Sequence, residues 1–157
     1  MLRYIHYFTF VAVFLVTFGV FNQANADEIE DMSDALNQTV FEQDWKGFGE
    51  TFAKFVKQDG RYGSEDADKA GESAAKSVVT LGTFGEILSK SPVKVDRCGD
   101  RIARTVTVFF AKDGQFFTEY WFFKAGENWS ANNINYKGNA SSTQFANMLT
   151  SALSFTC

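Results

Sequence analysis

The chain has 157 residues, with 15 Lys and Arg against 19 Asp and Glu and a formal net charge of −4. Nucleic acids and anionic lipid surfaces attract clustered positive charge, so this acidic balance argues against both as partners. The only histidine, His6, lies in an N-terminal segment that the sequence predicts to be removed. A mature protein without imidazole excludes histidine-dependent hydrolases, histidine-ligated metal sites and histidine proton shuttles, and neither a metal nor a cofactor is predicted.

Residues 1–26 have the pattern of a secretory signal peptide. An apolar run from Tyr4 to Phe21 is followed by Ala24-Asn25-Ala26, which places small residues at positions −3 and −1 of a cleavage site. Cleavage would leave residues 27–157 as a single domain, either periplasmic or secreted, with no stable membrane insertion. The alternative is an uncleaved anchor, because the apolar run approaches the length that spans a bilayer.

Cys98 and Cys157 are the two cysteines, and an oxidising destination would allow them to pair. Such a bond would tie the C-terminal residue to the predicted sheet and close a loop of about 60 residues, which stabilises by about 3–4 kcal/mol in the chain-entropy model. Two free thiols and an intermolecular bridge are the alternatives. The chain has no Cys-x-x-Cys arrangement, so a redox role is not predicted.

Apolar residues recur at helical spacing between Glu28 and Val56, which predicts one long first helix. Five rings fall on a single stripe of that helix: Phe41, Trp45, Phe48, Phe52 and Phe55. We interpret the stripe as core, and the lining of a ligand cavity is the alternative. Ser64 suits the cap of a second helix. The predicted buried side of that second helix consists of Ala67, Ala70, Ala74, Val78 and Leu81.

Two segments rich in β-branched and aromatic residues, Arg101 to Ala111 and Phe116 to Lys124, predict neighbouring strands. Between them Asp113-Gly114 is typical of a type I′ turn, which would place Arg104 opposite Phe123. One face would carry Arg104, Val106, Val108, Phe110, Phe117, Glu119, Trp121 and Phe123. The other face would carry Thr105, Thr107, Phe109, Ala111, Phe116, Thr118, Tyr120 and Phe122. Both faces are rich in apolar side chains, so each needs a cover.

A third strand is predicted from Asn128 to Tyr136, after a turn at residues 125–127. The hydroxyl residues at positions 141–143 then offer caps for a last helix, which has Phe145 and Met148 on its apolar side. Helices first, then antiparallel strands, then one helix is the order of an α+β domain.

This order resembles the nuclear transport factor 2-like superfamily, the cystatin-like α+β roll. The signals are the aromatic first helix, a second helix that ends in Leu81-Gly82-Thr83-Phe84-Gly85, and a meander containing Lys124-Ala125-Gly126-Glu127-Asn128-Trp129. The similarity covers roughly Asp34 to Tyr136 and is greatest to small exported members of unassigned activity. It implies N-terminal helices packed on a curved antiparallel sheet in a cone-shaped roll, a pocket at the wide end and homodimers through the outer sheet face. The C-terminal helix is an addition to that pattern.

Some members of this superfamily are enzymes, namely the ketosteroid isomerases and related cyclases and dehydratases. In the isomerase type of this superfamily, a carboxylate base works opposite a tyrosine and a protonated acid in an apolar pocket. Here the stripe of the first helix contains no tyrosine. The dehydratase type uses a His-Asp pair, which a mature chain without histidine cannot form.

Glu119 is the carboxylate that the strand pattern places among apolar neighbours such as Val106 and Trp121. In a pocket it could act as a general base or as an anchor for a ligand. The alternatives are a cross-strand ion pair with Arg104 or a lysine, or a position at an exposed rim.

Two functional hypotheses follow. The first is an exported non-catalytic domain that binds a small apolar ligand or a protein partner, through binding residues Trp45, Phe48, Phe52, Glu119, Trp121 and Phe123. The second is a pocket enzyme of the proton-transfer type, an isomerase or cyclase, with Glu119 as its base.

Overall fold

The computed structural model describes residues 28–58 and 60–157, so the predicted signal peptide and its cleavage site lie outside the described residues. The elements are α1 (28–41), α2 (Trp45–Lys57), α3 (Ser64–Val78), a 3-10 helix (Val79–Phe84), β1 (Ile87–Lys90), β2 (Lys94–Cys98), β3 (Ile102–Ala111), β4 (Gly114–Ala125), β5 (Asn128–Asn139) and α4 (Ser142–Leu153). Within this part of the chain, none of the helices is both long and apolar enough to cross a bilayer.

The first helical region consists of two helices, α1 and α2, so the prediction of one continuous helix is wrong. Between them Gln43 has a φ of 56°. The Asp44 side chain then caps α2 by accepting a hydrogen bond from the backbone N–H of Gly47 at 2.9 Å. Aspartate favours such a helix start over a helix interior. The aromatic spacing continues across the break, which is why periodicity alone did not reveal it.

α2 and α3 meet backbone to backbone at Gly49 and Gly71. A Cβ atom on Gly49 would lie 2.7 Å from the carbonyl oxygen of Gly71, and a Cβ atom on Gly71 would lie 2.8 Å from the Cβ of Ala53. These distances are shorter than any relaxed carbon contact, so neither position has room for a side chain. The two helices form a closely packed pair through this contact.

The five strands form one antiparallel sheet in the order β1-β3-β4-β5, and β2 pairs with β3 on the same edge as β1. Pro92 lies in the break between β1 and β2, where its missing N–H costs no ladder bond. Ser91 bridges this break. Its N–H donates to the carbonyl of Val108 at 2.8 Å, and its hydroxyl accepts from the N–H of Val108 at 3.0 Å.

β3 and β4 pair two residues away from the predicted register. Arg104 lies opposite Trp121, and Lys112-Asp113 forms the turn, so Gly114 already belongs to β4. Neither turn residue has a positive φ, and the predicted type I′ turn is therefore also wrong. A Cβ on Gly114 would lie 2.7 Å from the ring of Phe84, which explains the glycine at this position. Because side chains alternate with a period of two, the shift leaves every side chain on its predicted face.

The inner face of the sheet packs on α1 and α2. Its fully or almost fully buried residues are Thr105, Thr107, Phe109, Phe116, Thr118, Tyr120 and Phe122. The rings of Phe109 and Phe116 stack with centroids 4.9 Å apart. On the helix side, the ring of Phe48 lies 6.3 Å from that of Tyr120. The inner face therefore supplies one wall of the main core and the helices supply the other.

α4 covers the central part of the outer face of the sheet. Phe145 of α4 packs on Val106 and Phe117, with Met148 and Leu149 beside it. The family resemblance implied homodimers through this face. In this chain the Val106 and Phe117 part of the face is buried by the protein's own helix.

The C-terminal tail, residues 154–157, is tied to the sheet at two points. The ring of Phe155 meets that of Trp121 edge-on at 5.3 Å. Cys157 forms a disulfide with Cys98 at the end of β2, which confirms the intramolecular pairing predicted from the sequence. The fold is thus an α+β roll with N-terminal helices packed on a curved antiparallel sheet, plus a C-terminal helix, as predicted. The position of that helix on the outer face was not predicted from the sequence.

We expect Gly71→Ala to lower the free energy of unfolding by about 1–3 kcal/mol, because the added methyl group must push α2 and α3 apart. This loss should appear although alanine has the higher helix propensity. Urea denaturation measures it. Gly63→Ala is the control without crowding, since a Cβ there meets nothing within 4 Å. Because Gly63 is the N-cap of α3, this variant should lose about 0.5–1 kcal/mol, less than Gly71→Ala. Equal midpoints for Gly71→Ala and the parent protein would contradict the close helix contact.

Replacing both cysteines by serine should lower the free energy of unfolding by about 3–4 kcal/mol, because Cys98 and Cys157 are 59 positions apart and their bond restricts the unfolded chain. Urea denaturation of the double variant measures the loss. The parent protein under a reducing agent is the control, and it should show a similar loss. A midpoint that does not move in either sample would show that the bond does not stabilise the domain.

Candidate functional site

The six predicted binding residues lie on two sides of the sheet and do not line one cavity. Trp45, Phe48 and Phe52 belong to the helix layer on the inner side. Glu119 and Trp121 alternate along β4 with the inner residues Tyr120 and Phe122, which puts them on the outer side. By the same alternation Phe123 faces outward, and the guanidinium of Arg61 lies 4.7 Å from its ring centroid. The sheet itself separates the two groups.

Between α1 and the inner face lies a buried polar network centred on Asn37. The Asn37 amide donates to the hydroxyl of Thr107 at 2.8 Å. Its carbonyl oxygen accepts from Thr118 at 3.1 Å and from the hydroxyl of Tyr120 at 3.0 Å. Ser33, one turn earlier, donates to Thr105 at 2.8 Å. Every side chain of this network is at most 1% exposed.

This network lies where helix α1 crosses the sheet. Burial raises the pKa of Tyr120, outweighing an opposing hydrogen bond with Thr118, so its hydroxyl stays protonated and acts as a donor. The network therefore fixes α1 on the sheet with paired polar groups. Sequence reasoning missed Asn37, although its position one turn after Ser33 and beside Leu36 on the apolar side of α1 was an available signal.

Glu119 uses both carboxylate oxygens in hydrogen bonds. Oε1 accepts from the Trp121 indole N–H at 2.6 Å and from the Asn135 amide at 3.2 Å. Oε2 accepts from Arg104 at 3.4 Å. The side chain is 12% exposed. These contacts make Glu119 a cross-strand partner of Arg104, which was one of the alternatives for this residue.

Arg104 is the centre of a partly buried charge cluster. Its side chain is 5% exposed, and it bonds Asp96 of β2 at 2.9 Å as well as Glu119 of β4. The guanidinium also donates to the backbone carbonyl of Ala152 in α4 and lies 4.3 Å from the ring centroid of Phe155. One residue thus connects three strands, the last helix and the tail. Among the described residues its Nε is a buried polar atom without a partner.

On the inner side, a cleft of about 380 Å³ opens where α2, α3 and β5 meet. We call it the α2–α3 cleft. Its lining residues are Phe52, Val56, Tyr62, Asp66, Ala70, Ala131 and Asn132. Of the predicted binding residues, Phe52 lies in this cleft.

On the outer side, a cleft of about 280 Å³ opens between α4 and strands β4 and β5. We call it the α4 cleft. Its lining residues are Arg104, Phe117, Glu119, Asn135, Lys137, Met148, Ser151 and Ala152. Glu119 is the predicted binding residue in this cleft. Across residues 28–58 and 60–157, no group of three or more His, Cys, Asp or Glu side chains is placed to hold a metal ion.

Asp96 gives the charge cluster a pH dependence. Burial raises the pKa of this carboxyl, but hydrogen bonds and positive charge from Lys94 and Arg104 outweigh burial, and the net pKa lies below the ordinary 3.8. A carboxyl with a depressed folded-state pKa contributes stability that is fully present above its unfolded-state pKa. That stability is lost as the pH falls through the folded-state value.

We therefore expect the urea midpoint of the protein to fall as the pH drops below about 4. Asp96→Asn should lower the midpoint at pH 7 and show a smaller further fall in acid. Asp100→Asn removes an exposed carboxylate and serves as the control, with the parent's acid dependence retained. Parallel acid profiles for Asp96→Asn and the parent would show that the pairing of Asp96 does not stabilise the fold.

Comparison with known proteins identifies the fold and no more. No family model matches the chain, and no curated protein does. The structure is similar to that of a domain of unknown function with a cystatin-like fold from Nostoc punctiforme, with a TM-score of 0.50 and 13% sequence identity over 85% of this chain and 88% of the other. The protein therefore has a cystatin-like fold, which is the broader part of the resemblance inferred from the sequence.

Proposed function

We propose that the protein is an exported, non-catalytic binding domain that holds a small apolar molecule in the α2–α3 cleft. The observation that carries this proposal is the lining of the cleft, which combines an apolar floor with a few polar groups at the rim. Sites for small organic ligands have this composition, and about 380 Å³ lies within their usual range of roughly 300–1,000 Å³.

The floor of the cleft comes from three elements. Phe52 and Val56 of α2 are each 5% exposed, and Ala70 of α3 and Ala131 of β5 complete the surface. These side chains carry no hydrogen-bonding groups. An apolar ring placed here would lose its water shell without leaving a buried polar group unpaired, which favours binding.

The rim offers acceptor groups for one donor on the ligand. Asp66 lies in the first turn of α3, and none of the described ion pairs includes its carboxylate. Asn132 is the extra residue of a bulge, since Trp121 pairs with Asn133 and the next residue of β4 pairs with Ala131. Bulges redirect side chains at binding sites. We therefore propose a ligand with an apolar body and one amino or hydroxyl group.

The wall formed by Tyr62 is held to the sheet through its neighbour. The Arg61 guanidinium lies 5.6 Å from the Tyr62 ring centroid and 4.7 Å from that of Phe123, and it donates to the Ser130 hydroxyl at 3.2 Å. Tyr62 itself is 42% exposed. An aromatic side chain in this position gives a ligand ring a partner to stack on.

The hydrogen bonds of Glu119 support a binding role for the protein over proton-transfer catalysis. A general base needs a carboxylate oxygen within reach of substrate, whereas both oxygens here already accept hydrogen bonds. Export is supported by the signal-peptide pattern of residues 1–26 and by the disulfide, a bond typical of oxidising compartments.

The test uses N-phenyl-1-naphthylamine, an apolar fluorophore with one N–H donor, titrated into the protein. We expect saturable fluorescence enhancement with a dissociation constant in the micromolar range, and a loss of affinity of about tenfold or more in Ala70→Phe, which fills the floor. Ala146→Phe makes the same change on the exposed side of α4 and should bind like the parent. Equal binding by Ala70→Phe and the parent, or no saturable binding, would overturn the proposal.

A further inference from the structure

We infer that the α4 cleft is a second, chemically distinct binding site, for a small carboxylate with a short apolar tail. It lies on the opposite side of the sheet from the α2–α3 cleft and shares no lining residue with it. The inference does not depend on the proposed function.

The apolar wall of the α4 cleft would hold the tail of the ligand. Phe117 on the outer face of β4 is 2% exposed, and Met148 and Ala152 of α4 stand over the same face. These side chains converge from a helix and a strand, both of which are rigid elements. Met148 and Ala152 are the half-buried members of this wall, so a short aliphatic tail would lie against them.

The charge balance of the cleft favours a ligand with one negative charge. The lining includes two cations, Arg104 and Lys137, and one anion, Glu119. Arg104 is bonded to both Glu119 and Asp96, and Asp96 is also bonded to Lys94. These four groups carry no net charge and leave no positive charge for a ligand. Lys137 is the remaining charge, and none of the ion pairs in the described chain includes its ammonium group.

Lys137 lies directly above the apolar wall. It pairs with Phe117 across β4 and β5 and is exposed on the outer face, so its side chain can reach a carboxylate whose tail lies against Met148 and Ala152. Ser151 of α4 lines the same cleft, and its hydroxyl supplies a further donor from the opposite side. An ammonium and a hydroxyl around an apolar wall suit a monocarboxylate.

Glu119 does not exclude an anion from this cleft. Its carboxylate accepts three hydrogen bonds, from Arg104, Trp121 and Asn135, and its negative charge faces the Arg104 guanidinium. With this charge balanced, the cleft has one uncompensated positive charge. A dianion such as phosphate would exceed that charge and would leave the apolar wall unused.

Hexanoate is the probe for this inference. In a titration followed by amide chemical shifts, we expect saturable shifts centred on Lys137, Ser151 and Ala152. Hexanamide has the same tail without the charge, and its affinity should be lower by a factor of about ten or more. Lys137→Gln should weaken hexanoate binding to a similar extent. Lys112→Gln is the matched control, since Lys112 is exposed in the β3–β4 turn, and it should bind like the parent.

Three outcomes would overturn the inference: equal affinity for hexanoate and hexanamide, unchanged affinity in Lys137→Gln, or shifts centred on the α2–α3 cleft. Ser151→Phe gives an independent check, because a large ring on this exposed position of α4 would fill the cleft. It should abolish the shifts while the amide spectrum stays that of the folded protein. Ala70→Phe, which blocks the other cleft, should bind hexanoate normally.

Discussion

The central part of strands β3 and β4 is buried on both faces, and this constraint organises the rest of the molecule. Consecutive side chains of a strand point to opposite faces, so each strand presents one set of rings to α1 and α2 and another to α4. A domain with helices on the inner face alone would leave Phe117 and Val106 in water. The C-terminal helix covers these residues, and the disulfide at Cys157 holds the chain that follows it against β2.

Polar groups inside these two layers are tolerated because nearly all of them are paired. On the inner side, Asn37 joins α1 to three residues of β3 and β4 through neutral hydrogen bonds. On the outer side, Arg104 joins three strands to α4 through ion pairs and a carbonyl. A buried group that lost its partner would cost more than the bond contributes, so both networks favour one arrangement of helices on the sheet.

The covered outer face also changes what Glu119 can do. In an open sheet, a carboxylate between Val106 and Trp121 would be a candidate base. With α4 in place, Arg104 is held beside Glu119 by the carbonyl of Ala152, and the carboxylate becomes part of a charge network. The α2–α3 cleft and the α4 cleft lie on opposite sides of the sheet and have different linings. The inner cleft is apolar with a carboxylate at its rim, and the outer cleft has an apolar wall with an uncompensated lysine.

Local patterns in the sequence were sufficient for much of this fold. The paired strands on either side of Asp113, the aromatic side of α2 and the division of β3 and β4 into two faces follow from neighbours within a few residues. The prediction of Ser64 as the cap of α3 was wrong, because Gly63 is the N-cap and α3 begins at Ser64 without a side-chain cap bond. The face assignment was correct even though the register was wrong by two, because a shift of two residues preserves the alternation. The break between α1 and α2 at Asp44 was not predicted, because the aromatic spacing continues across it.

The grouping of the candidate site residues was decided by the tertiary structure. The sequence grouped Phe52 and Glu119 among the predicted binding residues, whereas the sheet lies between them. Their surroundings depend on contacts between distant segments: Asn37 with Thr118 across 81 positions, and Arg104 with Ala152 across 48. The sequence by itself thus determined the elements and the face on which each strand residue lies, because these depend on short-range geometry. Only the tertiary structure decided the register, the partners of Glu119 and the separation into two clefts, because packing between remote segments sets all three.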